Sequence, residues 1–207
     1  MKTVFKFLFV ITLFLTISCE EEEWVLYSNG GFPVEVVNLE KFNSKYDDYN
    51  SDLPHGEYDT YPLKFSSNRN SKGANFDIVQ FNISISYPIE EDRVAIRESA
   101  GIPFGALFSN EEFDLINTEY DELGPLTKQY YDGDNYSYLH FYANNRSGNF
   151  DIKFIYHNLV QDPVETHKSE YFTEGPYNVN LINTANNEAY PTFMAEDLYF
   201  TSDENGN

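Results

Sequence analysis

The sequence predicts an all-β protein built from antiparallel, four-stranded units. One pattern of residues occurs three times, its longest segments alternate apolar and polar residues, and helical periodicity is scarce. Alternation with a period of two places each set of side chains on one face of a strand, whereas a helix needs apolar residues three or four positions apart. The three copies therefore predict three units that repeat one arrangement of strands.

The first part of the repeat is an Asn-Ser or Asn-Thr pair, then acidic or Asn residues, then Tyr-Asn, Gly-Pro or Tyr-Pro. It reads FNSKYDDYN at 42–50, INTEYDELGP at 116–125 and INTANNEAYP at 182–191. The leading asparagines Asn43, Asn117 and Asn183 are 74 and 66 residues apart. This spacing leaves room for four strands with insertions in each unit.

The second part of the repeat has the pattern of a β-hairpin. It reads LKFSSNRNSKGANFDIVQF at 63–81, LHFYANNRSGNFDIKF at 139–154 and LYFTSDENGN at 198–207. In the first two copies an apolar strand enters a polar turn with Asn, Arg and Gly, and the chain leaves through Phe-Asp-Ile. Asn and Gly tolerate the positive φ of such turns, so we expect paired antiparallel strands.

Each unit has room for further strands. VQFNISISY at 79–87 and FDIKFIYH at 150–157 alternate with a period of two and are rich in residues that favour strands. The clearest candidate for another structure is IEEDRVAIRESAGI at 89–102, which we interpret as a short helix or a loop between units.

The repeat resembles the WD-like β-propeller repeats of TolB-type envelope proteins. The resemblance depends on three features together: the Asn-Ser/Thr segment, the Tyr-Phe-Thr-Ser strand and the Phe-Asp-Ile exit. The resemblance covers 42–81, 116–154 and 182–207. It implies a partial β-propeller of about three four-stranded antiparallel blades within residues 31–207. The last blade is expected to be incomplete, because the third copy stops at Asn207, where the others continue into Phe-Asp-Ile.

Propellers typically close with four to eight blades. Three blades leave an open end, so we expect a fragment of a longer protein or a truncated reading frame. The alternative is a small sandwich in which the repeats pack face to face.

The N-terminal residues are typical of a secretory signal peptide. Lys2 and Lys6 precede an apolar run at 7–17, which is shorter than the ~20 residues of a membrane-spanning helix. The segment LTISC at 15–19 resembles a bacterial lipobox. We therefore expect residues 1–18 to be removed as a lipoprotein signal and Cys19 to carry the lipid.

Residues 19–30 are interpreted as an acidic tether. Four glutamates follow Cys19 directly, and acidic residues in this place resemble the surface-export signal of some Gram-negative lipoproteins. We expect an outer-membrane lipoprotein displayed at the cell surface. Cys19 is the only cysteine, so the repeats close no internal disulfide.

The net negative charge of the chain limits the partners that it can bind. The chain has 34 acidic and 13 basic residues, a formal charge of −21, and loss of Lys2 and Lys6 with the signal makes it −23. Such a surface repels phosphate backbones and anionic headgroups, so nucleic acid is not expected as a partner and attachment depends on the acyl chains.

Four charged residues at matching places in the hairpins are candidate ligand residues or parts of structural turns. They are Asp77, Asp151, Arg69 and Arg146. The carboxylates would line a propeller channel or accept hydrogen bonds from the preceding turn, and the arginines would pair with these carboxylates or bind an anion. The third copy has Asp203 and Glu204 in place of Asn-Arg, which favours a structural turn.

A weak calcium candidate lies in YYDGDNYSY at 130–138. Asp132, Asp134 and Asn135 supply oxygen atoms with the spacing of a calcium loop, but Ala143 stands where an EF-hand has its closing Glu. An acidic hairpin tip is the structural alternative. No metal site or cofactor is therefore expected beyond this calcium candidate.

No catalytic motif is found. The four histidines have no zinc-ligand spacing and no Gly-x-Ser-x-Gly elbow is present. The chain has 18 Phe and 17 Tyr, and aromatic surfaces bind proteins and sugars. We expect a lipid-anchored, non-enzymatic binding or scaffold module whose partner is an envelope protein or a glycan. The alternative is a fragment of a propeller glycosidase or lyase.

Overall fold

The computed structural model describes most of the repeat region. All of the described residues belong to one compact unit, Phe32–Asn207. They are residues 38–54, 60–86, 95–99, 110–132, 135–161 and 169–203. The expected signal peptide, Cys19 and the acidic tether lie outside them.

The first sheet contains four strands that pair in chain order. They are β1 (Asp48–Asp52), β2 (Thr60–Ser67), β3 (Asp77–Ser86) and β4 (Ala95–Glu98). All neighbours are antiparallel. The predicted hairpin is the β2–β3 pair, in which Ser67 faces Asp77.

The second sheet repeats this order after a short helix, α1 (Asn110–Ile116). Its strands are β5 (Glu122–Asp132), β6 (Asn135–Asn144), β7 (Asp151–Gln161) and β8 (Ser169–Asn178), again antiparallel and in chain order. The predicted strand at 79–87 is confirmed for its described residues, 79–86, which lie in β3, and the one at 150–157 is confirmed for 151–157, which lie in β7.

The third sheet has two strands in the described residues, β9 (Glu188–Met194) and β10 (Asp197–Ser202). The all-β class with antiparallel four-stranded sheets is confirmed. A partial propeller of about three blades is not confirmed, because the described residues show two four-stranded sheets and one two-stranded sheet but no propeller ring.

The interpretation of 89–102 as a helix or loop is wrong for its described part. Residues 95–98 form β4 and pair with the end of β3, where Ile83 faces Glu98 and Ser86 faces Ala95. Backbone pairing with an existing strand edge overrides the helix-favouring Ala, Arg and Glu of this segment.

The second sheet lies between the other two, and its faces form two apolar clusters. On one face Ile78 of the first sheet packs against Ile116, Tyr142 and Ile155, which are all almost fully buried. On the other face the cluster contains Leu123, Ala143 and Ala189. Complete burial of one large aliphatic side chain stabilises a fold by about 1.5–3 kcal/mol.

The opening strand of each copy has a left-handed residue at its third position. The φ angles are +56° at Asn50, +61° at Gly124 and +53° at Tyr190. The pairing of β1 and of β5 shifts register just after this residue, as expected for a β-bulge. Asn50, Gly124 and Tyr190 therefore occupy equivalent places in the three opening strands, so Asn50-Ser51 and not Tyr49-Asn50 corresponds to the Gly-Pro and Tyr-Pro pairs.

Candidate functional site

Asn117 joins the first sheet to the second. Its Oδ1 accepts a hydrogen bond from the Ile78 N–H at 2.8 Å, and its Nδ2 donates to the Ile78 carbonyl at 2.9 Å. Both backbone groups of one strand residue are therefore satisfied by one carboxamide. We call this arrangement the asparagine clamp.

Asn183 makes the same clamp between the second sheet and the third. Its Oδ1 accepts from the Ile152 N–H and its Nδ2 donates to the Ile152 carbonyl, both at 2.8 Å. The leading asparagine of the sequence repeat therefore binds the Phe-Asp-Ile exit of the preceding copy. This role explains why the two parts of the repeat occur together.

The hydroxyl residue after each clamp position binds a carboxylate at the start of the next strand. Thr118 Oγ1 donates to Glu122 Oε1 at 2.7 Å, and Thr184 Oγ1 donates to Glu188 Oε1 at the same distance. Ser44 Oγ donates to Asp48 at 2.8 Å. These bonds form within one copy, so each turn is shaped by its own residues and needs no contact with another copy.

Arg69 does not pair with Asp77, contrary to one of the expectations. Its Nη2 lies 2.7 Å from Asp48 Oδ1 and 2.6 Å from the Phe42 carbonyl oxygen, and its guanidinium stands over the Phe65 ring. The register that pairs Asp48 with the end of β2 brings this carboxylate to the turn. Arg69 is therefore a structural residue of the first copy.

The two candidate aspartates accept hydrogen bonds from side chains of their own turns. Ser147 Oγ donates to Asp151 Oδ2, and the Asn70 side chain bonds to Asp77. Burial nevertheless raises the pKa of Asp77. Arg146 is exposed at the second turn, where its N–H donates to Asn144 Oδ1. The structure thus does not bring the four candidates together, and their contacts are those of turns.

A cluster of buried ionisable side chains lies between the first and second sheets. Lys64 Nζ is 3.0 Å from Thr127 Oγ1 and 3.2 Å from His140 Nδ1. Asp52 faces Lys64 across the β1–β2 pair and accepts a hydrogen bond from the Thr127 N–H at 2.8 Å. Sequence reasoning missed this cluster, because its members come from four strands of two sheets.

Burial controls the protonation of this cluster. It lowers the pKa of Lys64 to about 7, against the attraction of Asp52 and Glu112, and it lowers the pKa of His140. It also raises the pKa of Asp52, against the effect of Lys64. Near neutral pH, His140 is therefore uncharged and Lys64 is close to its own midpoint.

The Glu112 side chain of α1 lies next to this cluster of buried ionisable side chains. Its Oε1 is 2.8 Å from His157 Nδ1, which also lies 3.1 Å from Thr173 Oγ1. The rings of His140 and His157 are 6.4 Å apart. Lys64 and Glu112 are 0% exposed and His140 is 1% exposed, so a solute cannot reach these groups in this conformation.

The opposite face of the second sheet has a row of aromatic rings. Phe141 is 5.6 Å from Phe154, which is 5.5 Å from Tyr177, and Phe193 of β9 covers Phe141 at 5.4 Å. The ring centroid distances are those of favourable aromatic pairs. The third sheet therefore covers the start of this row, while Tyr177 at its end is 45% exposed.

The uncovered end of the row forms what we call the aromatic surface, defined as Phe154, Tyr156, Phe172 and Tyr177. The alternation along β7 and its register with β8 place them on one face. Phe172 is 56% exposed. The Tyr177 hydroxyl donates to Glu174 Oε2 at 3.1 Å, which gives the surface a polar rim.

The calcium candidate falls at the β5–β6 turn. Asp132 and Asn135 face each other as the last pair of this hairpin, whereas Asp134 and the side chains of all three lie outside the described residues. Within those residues, no group of three or more His, Cys, Asp or Glu side chains is placed to bind a metal ion.

Comparisons with protein-family models, curated proteins and solved structures gave no match. Among the residues that the structure describes, no helix is long and apolar enough to cross a membrane.

Proposed function

We propose that the chain is a non-catalytic binding or scaffold module of a bacterial envelope. A lipid on Cys19 holds it at the outer membrane, and the repeats face the cell exterior. Its partner is another envelope protein, and a glycan is the second class of ligand. The resemblance to TolB-type propeller repeats, the lipobox and the acidic run after Cys19 support this location.

The aromatic surface is the observation that carries the binding proposal. Phe172 and Tyr177 expose large ring areas beside the Glu174 carboxylate. Protein interfaces are enriched in aromatic residues at their centre and polar residues at their rim. The formal charge of −21 favours a partner whose surface is neutral or basic.

The inner strand of this surface, β7, is held on both sides, and the edge strand β8, which carries Phe172 and Tyr177, pairs with it. β7 pairs with neighbours on both sides, and Asn183 fixes its first residues through Ile152. Because the backbone of β7 is already fixed, binding does not have to order this strand. By contrast, the buried cluster around Lys64 is closed to solvent, so it lends no support to a glycosidase or lyase.

Site-specific photo-crosslinking in the bacterium that produces the protein tests this proposal. A benzophenone amino acid at position 172 should give a discrete adduct, and Tyr177→Ser should weaken it. The matched control carries the crosslinker at position 199, where the native Tyr199 is 48% exposed in the third sheet. Digestion of the adduct with protease or with glycan-degrading enzymes distinguishes the two partner classes. The same adducts from both positions, or none from position 172, would contradict the proposal.

The lipid anchor has its own test. Labelled palmitate should enter the wild-type chain and not the Cys19→Ser variant. Equal labelling of both chains would exclude acylation at this residue.

A further inference from the structure

Asn43 stands in the first copy where Asn117 and Asn183 stand in the others, but it is exposed. Its Nδ2 donates to Asn38 Oδ1, whereas the other two clamp a strand of the preceding copy. Asp47, at the place of Asp121, is exposed as well. The first copy therefore presents the groups that the later copies use for docking.

What these positions bind is known from the two internal junctions. At the first, Asn117 makes both clamp bonds to Ile78, Asp121 Oδ1 accepts from the Phe76 N–H at 3.0 Å, and the Glu122 N–H donates to the Phe76 carbonyl at 2.8 Å. The junction thus recognises the backbone of a Phe-x-Ile segment with four hydrogen bonds.

The second junction repeats all four bonds. Asn183 clamps Ile152, Asn187 Oδ1 accepts from the Phe150 N–H at 2.9 Å, and the Glu188 N–H donates to the Phe150 carbonyl at 2.7 Å. The acceptor is a carboxylate at one junction and an amide at the other. The ligand common to both is the start of a strand with an aromatic residue two places before an aliphatic one.

The first copy has the same set of groups. Asp47 Oδ2 accepts from Asn68 Nδ2, as Asp121 Oδ2 does from Asn145 Nδ2, so its Oδ1 corresponds to the acceptor for Phe76. The Asn68 N–H donates to the Asp47 carbonyl. In an antiparallel pair this pattern directs the Asp48 N–H away from β2, as needed for a bond to a docked strand.

We propose that Asn43, Asp47 and the Asp48 N–H form a docking site for a β-strand that begins with Phe-Asp-Ile or a close equivalent. The strand leaves a hairpin of another repeat of this class, and it docks as β3 and β7 do inside this chain. Recognition is through the strand backbone, and the aromatic residue sets the register.

In this proposal the strand belongs to a different polypeptide that carries the same repeat. The sequence contains Phe-Asp-Ile twice, at 76–78 and 150–152, and both copies are already clamped by Asn117 and Asn183. These two segments are therefore already engaged, in this chain and equally in a second copy of it. This site is also separate from the aromatic surface, so it adds a second mode of assembly to the proposed function.

The probe is a cyclised hairpin peptide that copies residues 137–158, labelled with fluorescein. Its binding to the full chain, kept in mild detergent, is followed by fluorescence anisotropy. Binding should saturate, and Asn43→Ala should weaken it about tenfold. Asn180→Ala, at another exposed turn asparagine, is the matched control and should bind as the wild type does.

A peptide methylated at the Ile152 nitrogen provides the sharpest test. In the chain this N–H donates to Asn183 and not to β6, so methylation removes the clamp bond without removing a hairpin bond. The methylated peptide should bind at least tenfold more weakly than the parent peptide.

Two results would contradict the docking site: no binding of the parent peptide, or binding that Asn43→Ala does not weaken. A homodimer of the chain that Asn43→Ala dissociates would overturn the choice of partner. Phe172→Ser should leave peptide binding unchanged, so failure here is distinguishable from failure of the aromatic-surface proposal.

Discussion

Asn187 and Asp203 form the same two hydrogen bonds as Asp121 and Asn145, with the amide and the carboxylate exchanged. The Asn187 N–H and Nδ2 donate to the two Asp203 oxygens, each at 2.7 Å. In the second copy the Asp121 N–H donates to Asn145 Oδ1, and Asn145 Nδ2 donates to Asp121 Oδ2. Each copy therefore keeps one amide and one carboxylate, although the sequence positions differ.

This exchange predicts that stability requires one amide and one carboxylate at the two positions, and that either position can hold either group. Asn145→Asp should lower the free energy of unfolding by about 1–2 kcal/mol, because it removes a donor and puts two carboxylates together. The double variant Asp121→Asn with Asn145→Asp should recover most of this loss. Urea unfolding of the three chains measures it. A double variant as unstable as the single one would show that the arrangement in the third copy cannot be transferred.

The asparagine clamp predicts a large difference between equivalent residues. Asn117→Ala leaves the N–H and the carbonyl of Ile78 without their partner in a part-buried place, so we expect a loss of about 2–4 kcal/mol. Asn183→Ala should have a smaller effect, because the Ile152 carbonyl also accepts from the Val179 N–H at 3.0 Å. Asn43→Ala is the matched control and should change stability by less than about 0.5 kcal/mol. Equal losses at positions 43 and 117 would argue against the clamp.

Gly124 marks a close approach between the second and third sheets. A Cβ at this position would lie 2.9 Å from the Tyr190 Cα, and the residue has φ of +61°. Gly124→Ala should therefore destabilise the chain by about 2 kcal/mol or more, from overpacking as well as backbone strain. Gly148→Ala has no neighbour within 4 Å and a φ of +103°, which is less favourable for alanine than +61°, so its loss is an upper limit for the strain at position 124. The loss at position 124 should be clearly the larger one in thermal or urea unfolding.

The hairpins and their turns were predictable because their signals are local. Alternation, turns that contain Asn and Gly, and the Phe-Asp-Ile exit each occupy a few consecutive residues, and β3 and β7 follow them. The strand at Ala95–Glu98 was not predictable, because its residues favour a helix and pairing with Ile83–Ser86 decides its structure.

The contacts between copies were harder to predict from the sequence than the hairpins were. The repeat indicates that Asn117 has a structural role. It does not indicate that the carboxamide of this residue binds the backbone of Ile78, which is 39 residues away. Pairing of Arg69 with Asp77 was one of two expectations, the other being an anion, yet the register of β1 places Asp48 at the turn. A contact fixed by strand register has no local pattern in the chain.

The burial of Lys64 predicts an unusual dependence of stability on pH. Its pKa is lowered to about 7 in the folded chain, whereas an unfolded chain has a lysine pKa near 10.4. Between these values the unfolded chain binds a proton that the folded chain does not, so the free energy of unfolding should rise with pH, by an amount on the order of 2–4 kcal/mol. Well below pH 7, Lys64 is protonated in both the folded and the unfolded chain, so it no longer makes the free energy of unfolding depend on pH.

Lys64→Met should remove this rise. The unfolding free energy of the variant should change little between pH 7 and pH 9.5, while that of the wild type increases. Lys128→Met is the matched control, since Lys128 lies on β5 and pairs loosely with the exposed Glu196 at 3.6 Å; its profile should run parallel to that of the wild type. Urea unfolding at half-unit steps of pH measures all three. If Lys64→Met keeps the slope of the wild type, then Lys64 stays charged in the folded chain and its contacts with Thr127 and His140 are those of an ammonium group.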